Sequence, residues 1–533
     1  MTPDGVEAIA ALIDGAVPVA QVAVELREAK LTQREALLLI SDEAEVWRTP
    51  DGELFATVPV ADHVEHHPIA SRAFKFWMLS RLATRFTMDG RPASANENSF
   101  REAKTSVEAR AATSGIVQRA SLRVAEHDGA LLIDQGTDDW SVIRIDGGGW
   151  QKLTRSPIPI LRGRRAAAFP IPSERGEFGP IRQLLRHLDD ETFVLLVAWS
   201  LGALMPQGPY PILVLGGEQG AGKSTLARLA QRMTDPVHGD LLQPPHNDRD
   251  LIACARNNRV LSFDNLSGLS AELADSMCRL ATGSEIGGRA LFSDHELASF
   301  SACRPLVING IPDLAARGDL ADRSIVLRLP RLPGRTTERE WRHSVEQVLA
   351  PTFAALLGAL SCGLRSLKET ATPNVRMADF ARLVVAAEPA LPWPPGAFLA
   401  ALSKSQQQAN ATLADGDSVV VAISRFVNGT RPDWSGLVSE LHTLLSAGFL
   451  GTQAPSDWPK NARWLSDRLR RAAPTLRALG IDYAERRTAR GAGVTLRAVG
   501  YPDTSASFAT SQSDPACAAT DAGDANFNGF MRR

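Results

Sequence analysis

The stretch Gly217-Glu218-Gln219-Gly220-Ala221-Gly222-Lys223-Ser224 constrains this chain more than any other. It fits G-x-x-x-x-G-K-[ST], and its flanks fit the mechanism behind that pattern. An apolar run from Ile212 to Leu215 reads as a strand entering the loop. Leu226, Leu229, Ala230 and Met233 follow at i, i+3, i+4 and i+7, the spacing of a helix leaving it. In a strand, glycine loop and helix, backbone N–H groups turn inward on an anion, and the helix N-terminus adds partial positive charge. The pattern predicts that residues 217–225, Thr225 included, hold the phosphates of ATP. Lys223 would bridge the β- and γ-phosphates, and the Ser224 hydroxyl would ligate Mg²⁺.

Such a loop needs a second magnesium carboxylate at the tip of a neighbouring strand. RVLSFDNLSG supplies Asp264 after the apolar run Val260 to Phe263, 41 residues beyond Lys223. The competing reading is that Asp264 only caps a helix starting near Ser270. Asn265 stands where hydrolytic enzymes of this kind often place a carboxylate; an amide orients water but takes no proton from it. Hydrolysis is therefore expected to be slow unless a base comes from elsewhere. Leu306 to Ile308 form another apolar run, ending in Asn309, which would position the attacking water; the alternative is a plain Asn-Gly turn. Arg323 precedes a further strand, Ile325 to Leu329, and is the candidate for a trans-acting arginine at a neighbour's nucleotide. Arg317 is the second choice, and a local pair with Asp319 or Asp322 is the competing reading for Arg323.

With these residues in order, 209–330 resembles the superfamily 3 helicases, AAA+ type ATPases of viruses, phages and plasmids. The phrases GPYPILVLGGEQGAGKSTLARL, RVLSFDNLSGL, RPLVINGIPDLAARGDLADRSIVLRLP and MADFARLVVAAEPAL also look like ATP-binding proteins of bacterial mobile elements and phages related to primase-helicases. The resemblance implies a homo-oligomer, a hexameric ring, with single-stranded DNA in its channel. It implies a channel hairpin with arms at Arg289 to Phe292 and Leu297 to Phe300 and a tip carrying His295. Arg289 and His295 would then face DNA. His295 sits among acids in Ser293-Asp294-His295-Glu296, which is a departure from a basic tip. No primase carboxylate triad precedes residue 180, so a primase partner would be a separate chain.

The expected fold class is therefore α/β: a P-loop NTPase core at 181–345 and a helical lid at 346–410. An N-terminal α+β region at 1–160 precedes a Pro/Arg-rich linker at 161–180. A C-terminal winged-helix domain spans 411–500, ahead of a tail at 501–533 expected to be disordered. In the N-terminal region, EVWRTPDGELFATVPV predicts two strands around a turn and SRAFKFWMLSRLATRF a helix, and 120–155 alternates like a β-meander. An amphipathic helix is expected over 181–204. HVEHHP (His63, His66, His67) reads as a surface turn rather than a metal site.

Net charge is −2, so charge over the whole chain says nothing about nucleic acid, and eight lysines among 58 basic residues reflect an arginine-rich background. Locally the balance changes. Between 460 and 497 ten basic residues face three acids, a net of +7. Arg468, Arg470, Arg471, Arg486, Arg487 and Arg490 are the candidates for DNA contacts, on a third helix and a two-stranded wing. Five cysteines form no C-x-x-C pair, which argues against a zinc ribbon or a disulfide framework. With no basic-then-apolar leader and no 18-residue apolar run, a cytoplasmic protein is expected. Two functions follow: a DNA-dependent ATPase of the helicase type serving mobile-element replication, or a nucleotide-gated DNA-binding switch that hydrolyses poorly.

Overall fold

A computed structural model describes residues 23–499, apart from 267, 290–296, 301, 311–317, 333, 335, 430, 450–453, 456 and 489–490. The fold is mixed α/β and divides into two compact units at Gly416 and Asp417. The expected tip residue His295, the wing residue Arg490, the alternative finger Arg317 and the tail lie outside the described residues.

In the first unit, residues 24–113 build a small core of their own. A three-stranded antiparallel sheet, β1 (Glu45–Arg48), β2 (Leu54–Val60) and β3 (His63–Pro68), packs with helices 33–41, 72–85 and 97–113 around Leu37, Phe74, Met78, Leu82 and Phe100. The histidine run is a strand, correcting the surface-turn reading. Its period of two puts His63, Glu65 and His67 on one face, where Glu65 lies 3.3 Å from His63 and 2.7 Å from His67. His66 points the other way and is buried. Among the described residues no group of His, Cys, Asp and Glu is arranged to hold a metal ion.

His66 carries a pH-dependent part of the stability. Its Nδ1 lies 2.9 Å from Thr57 Oγ1, which accepts Trp47 Nε1–H at 3.0 Å. Burial, reinforced by His67 and Arg155, lowers its pKa to about 4. The folded state therefore keeps this ring neutral where the unfolded chain protonates it. That stability is present above the unfolded value near 6.5 and is lost as pH falls towards 4. Between pH 7 and pH 5 the loss should be about 2 kcal/mol. Urea unfolding at the two pH values checks it: His66→Gln should flatten the dependence, and an equally steep variant would refute the assignment.

The meander, β4 (Val124–His127), β5 (Ala130–Asp134), β6 (Val142–Asp146) and β7 (Gly149–Leu153), is antiparallel in chain order. Its inner face (Leu131, Ile133, Ile143, Ile145) shares one core with helix α1 (Asp190–Ala203) and the long helix α2 (Glu338–Ser366). Ser361 Oγ donates to Asp146 O at 2.6 Å, and Arg365 Nε donates to Gly147 O at 2.6 Å. The compositional boundary at 160 therefore falls inside one packed body.

Residues 161–180, expected as a linker, are a strap fastened along that body. Phe169 and Phe178 are buried, and Phe169 stacks on Phe353 at 4.6 Å. Arg162 makes a bidentate pair with Asp134 at 2.9 and 2.7 Å. At Gly176 a Cβ would lie 2.4 Å from the Ala355 backbone, so only glycine permits that approach. The expected helix over 181–204 is two helices, 179–184 and α1. α1 is not amphipathic: every residue from Thr192 to Ala203 is buried, which places it in the middle of the core. By length and composition alone, an 18-residue window of α2 is apolar enough to cross a membrane. Two thirds of that window (67%) is buried inside the fold.

The central sheet consists of four parallel strands: β8 (Ile212–Gly217), β9 (Leu261–Leu266), β10 (Leu306–Gly310) and β11 (Ser324–Leu329), in the order β9-β10-β8-β11. Non-adjacent order requires crossovers, and helix α3 (Lys223–Thr234) makes the first of them. Being buried on both faces, the strands read as continuous apolar runs. A two-stranded hairpin, Ile286–Arg289 with Leu297–Phe300, lies between β9 and β10 in the chain.

The second unit is a helix (Ser418–Gly429), strand β12 (Asp433–Leu437), a helix (Val438–Ala447), helix α4 (Ala462–Ala478), and strands β13 (Ile481–Thr488) and β14 (Gly491–Ala498). The sheet is antiparallel, in the order β12-β14-β13. In WSGLVSELHTLLS the leucine spacing predicts a helix from Trp434 on, but Trp434 to Leu437 are strand residues. Pairing with Gly493 to Leu496 and burial of Trp434 outweigh the helical spacing.

Candidate functional site

The residues singled out by the glycine loop meet at the carboxyl ends of the parallel strands. The loop leaves β8 at Gly217 and enters α3 at Lys223. Gly217 has φ +147, and a Cβ there would lie 2.7 Å from Leu329 O, so the loop can turn beside β11 only with glycine. Gly222, in the left-handed region at φ +77, is the N-cap of α3. The Lys223 ammonium donates to Gly217 O at 2.8 Å and Glu218 O at 2.9 Å, which places it at the mouth of the loop.

Ser224 Oγ donates to Asp264 Oδ1 at 2.7 Å. Asp264 does not cap the following helix; Ser270 does that itself, accepting from Leu273 N at 3.2 Å. Its aim comes from an irregularity in β9. The pairing with β10 shifts register between Phe263 and Leu266, and Asn265 takes φ +57. Such bulges re-aim side chains, and asparagine tolerates the left-handed region better than most residues. Asn265 N then donates to Asn309 Oδ1 at 2.8 Å. Asn309 is thus a strand residue whose amide faces β9, not a turn asparagine. It is 1% exposed, and its Nδ2 has no hydrogen-bond partner among the described residues. A buried amide donor left unpaired is costly, and an oxygen-rich ligand would relieve it.

Chemically, this is a set of backbone donors, one ammonium, one hydroxyl, one carboxylate and one unpaired amide. It suits a phosphate chain with a hard cation, for which Ser224 and Asp264 offer two oxygens and phosphate and water would supply the rest. The residues present therefore fit a magnesium nucleotide.

Sequence reasoning missed Arg228. It makes two hydrogen bonds to the Asp240 carboxylate, at 2.8 and 3.1 Å, and holds that carboxyl down at about 2. Its place four residues after Ser224 was the available signal. Leu332 was also missed: it covers Gly222, where a Cβ would lie 3.2 Å from its Cδ1. Arg323 sits in the turn before β11, its carbonyl accepting Ile212 N at 2.9 Å. Asp322, one of the two expected local partners, pairs with Arg376 at 3.2 Å.

The candidate DNA arginines divide into two groups. Arg468 binds Asp417 at 3.3 Å and Asp457 at 2.8 Å, and Arg470 binds Glu485 at 2.8 Å and Asp467 at 3.3 Å. These two are engaged within the unit. Arg471, Arg486 and Arg487 are exposed. On β13, Arg486 and Arg487 lie opposite Gly493 and Ala492, which are too small to cover them. Arg289 ends a hairpin strand.

Two family models match the chain. The actinomycete integrative conjugative element replication protein covers residues 181–396, and the RepA C-terminal domain of the same elements covers 419–507. No curated protein matches. Among solved structures, "The A form apo structure of NrS-1 C terminal region-CTR" is similar at 12% identity with a TM-score of 0.37, covering 87% of this chain and 98% of that one. "The apo structure of NrS-1 C terminal region (305-718)" is similar at 11% identity with a TM-score of 0.35, over the same shares. The chain is a mixed α/β replication protein of a mobile genetic element. More narrowly, it belongs to the replication-protein family of actinomycete integrative conjugative elements.

Proposed function

We propose that the chain is a DNA-dependent ATPase of the superfamily 3 helicase type, acting as a homo-oligomeric ring in replication of its element. The observation that carries this reading is the hydrogen bond from Ser224 to Asp264 beneath the glycine loop, with Asn309 on the strand between. ATP and Mg²⁺ are the ligands this set suits. Lys223 binds the β- and γ-phosphates, Ser224 and Asp264 hold the metal, and Asn309 orients water. Arg323 of a neighbouring subunit stabilises the charge that develops in the transition state. The hairpin 286–300 contacts single-stranded DNA. The second unit is read as a winged helix whose exposed arginines neutralise phosphates, and a primase activity belongs to a separate chain. The test is steady-state ATP hydrolysis with and without single-stranded DNA. Stimulation of tenfold or more supports a motor; ATP binding without turnover on DNA rejects it.

Asn265 favours a second reading, a nucleotide-gated DNA-binding switch. It is exposed and offers no carboxylate beside the metal position. In that case ATP, without being hydrolysed, changes DNA affinity or oligomeric state.

A further inference from the structure

Helix α4 buries Leu465, Leu469, Ala472, Ala473 and Leu476 along one stripe, so the opposite stripe faces outward. Its first turn carries Trp464, 58% exposed. Solvent is a poor place for an indole, and the ring has a hydration cost that a partner could remove. Asn461 fixes this end of the helix, its side chain accepting from Trp464 N at 3.1 Å. Arg471 follows seven residues later on the same stripe, about 10 Å along the axis. Lys460 and Arg463 flank the ring in the chain, and all three cations are exposed. The one acid on this stripe, Asp467, is engaged by Arg470 at 3.3 Å.

We propose that Trp464 is a stacking platform for an unpaired base of single-stranded DNA, with Lys460, Arg463 and Arg471 neutralising the flanking phosphates. An aromatic face bordered by cations is the general device for holding a single strand without reading its sequence. The charge pattern selects a polyanion, and the ring selects one whose bases are free to stack. A duplex hides its base faces and offers this helix only phosphates and groove edges. The proposal rests on the DNA-binding reading of the second unit and adds its strand preference.

The test uses the full chain with oligo(dT) and a blunt hairpin duplex of matched length, titrated at several salt concentrations. Trp464→Ala should weaken oligo(dT) binding about tenfold with an unchanged salt slope, because stacking releases no counterions. Trp464→Phe should retain most of the affinity, and oligo(dT) should quench its fluorescence less than that of the parent. The double variant Arg486→Ala and Arg487→Ala should instead make the salt slope shallower. If Trp464→Ala binds oligo(dT) like the parent, or loses duplex and single strand equally, the proposal fails. If the arginine variant still weakens binding in that case, DNA binding by the unit stands without the platform. If neither variant changes binding, the DNA reading of the unit fails too.

Discussion

Replacing Lys223 with alanine is expected to lower ATP hydrolysis about 100- to 1,000-fold, the usual cost of removing one preorganised charge from a reacting oxygen. The physical ground is where the ammonium sits. It is held by two carbonyls of its own loop, Gly217 and Glu218, so it is in place before the nucleotide arrives. Those partners are backbone oxygens beside solvent, which can rehydrate once the side chain is gone. The fold should therefore survive, and circular dichroism and thermal unfolding should match the parent. Asp264→Asn should show a different defect. It keeps an acceptor for Ser224 but removes the charge offered to the metal, so its activity should recover in part as magnesium is raised. Turnover of Lys223→Ala within threefold of the parent would remove the triphosphate from this loop, and both proposed functions with it.

The parts of this site legible in the sequence are those whose chemistry is local. A loop of glycines ending in Lys223-Ser224 has few other uses, and apolar runs ending in Asp264 and Asn309 mark strand tips by composition alone. The hydrogen bond between Asn265 and Asn309 was not legible, because it depends on a register shift between strands whose partners lie 44 residues apart. The strap at 161–180 misled for a related reason. Proline and arginine signal exposure on average, but Phe169 and Gly176 are matched to one helix that begins more than 150 residues later. The histidine strand was not legible either: HVEHHP has no apolar alternation, and its pairing with β2 makes it a strand. The charge tally over 460–497 counted every arginine equally. It could not know that Asp417 and Asp457 would take Arg468, or that β13 would bring Glu485 to Arg470.

The largest expected loss of stability lies behind the site, at Arg123. Its side chain is 1% exposed. The guanidinium reaches Asp134 at 3.4 Å and Asp235 at 3.5 Å, donates to Ala167 O, and lies over the Phe169 ring at 4.8 Å. Asp235 is the residue on which α3 ends. Its carboxylate also accepts Arg259 N at 3.1 Å and Val260 N at 3.0 Å, which fastens the far end of α3 to the start of β9. Burial pushes the Asp235 carboxyl up, and Arg123 is the strongest influence pulling it back. Arg123→Met keeps most of the volume and removes the charge, leaving Asp235 buried without its nearest cation. Asp134 keeps Arg162, so the cost concentrates on Asp235. Breaking such a pair costs about 3–5 kcal/mol, which in a unit of this size should lower the thermal midpoint by about 4–6 °C. Methionine in place of the exposed Arg164 should barely move it. The pH dependence gives the mechanism away. With Asp235 raised further, the folded variant binds a proton that the unfolded chain releases, so its stability falls as pH rises. The deficit relative to the parent should therefore be larger at pH 8 than at pH 5. A deficit that is the same at both values would assign the loss to packing against Phe169 and not to the buried charge.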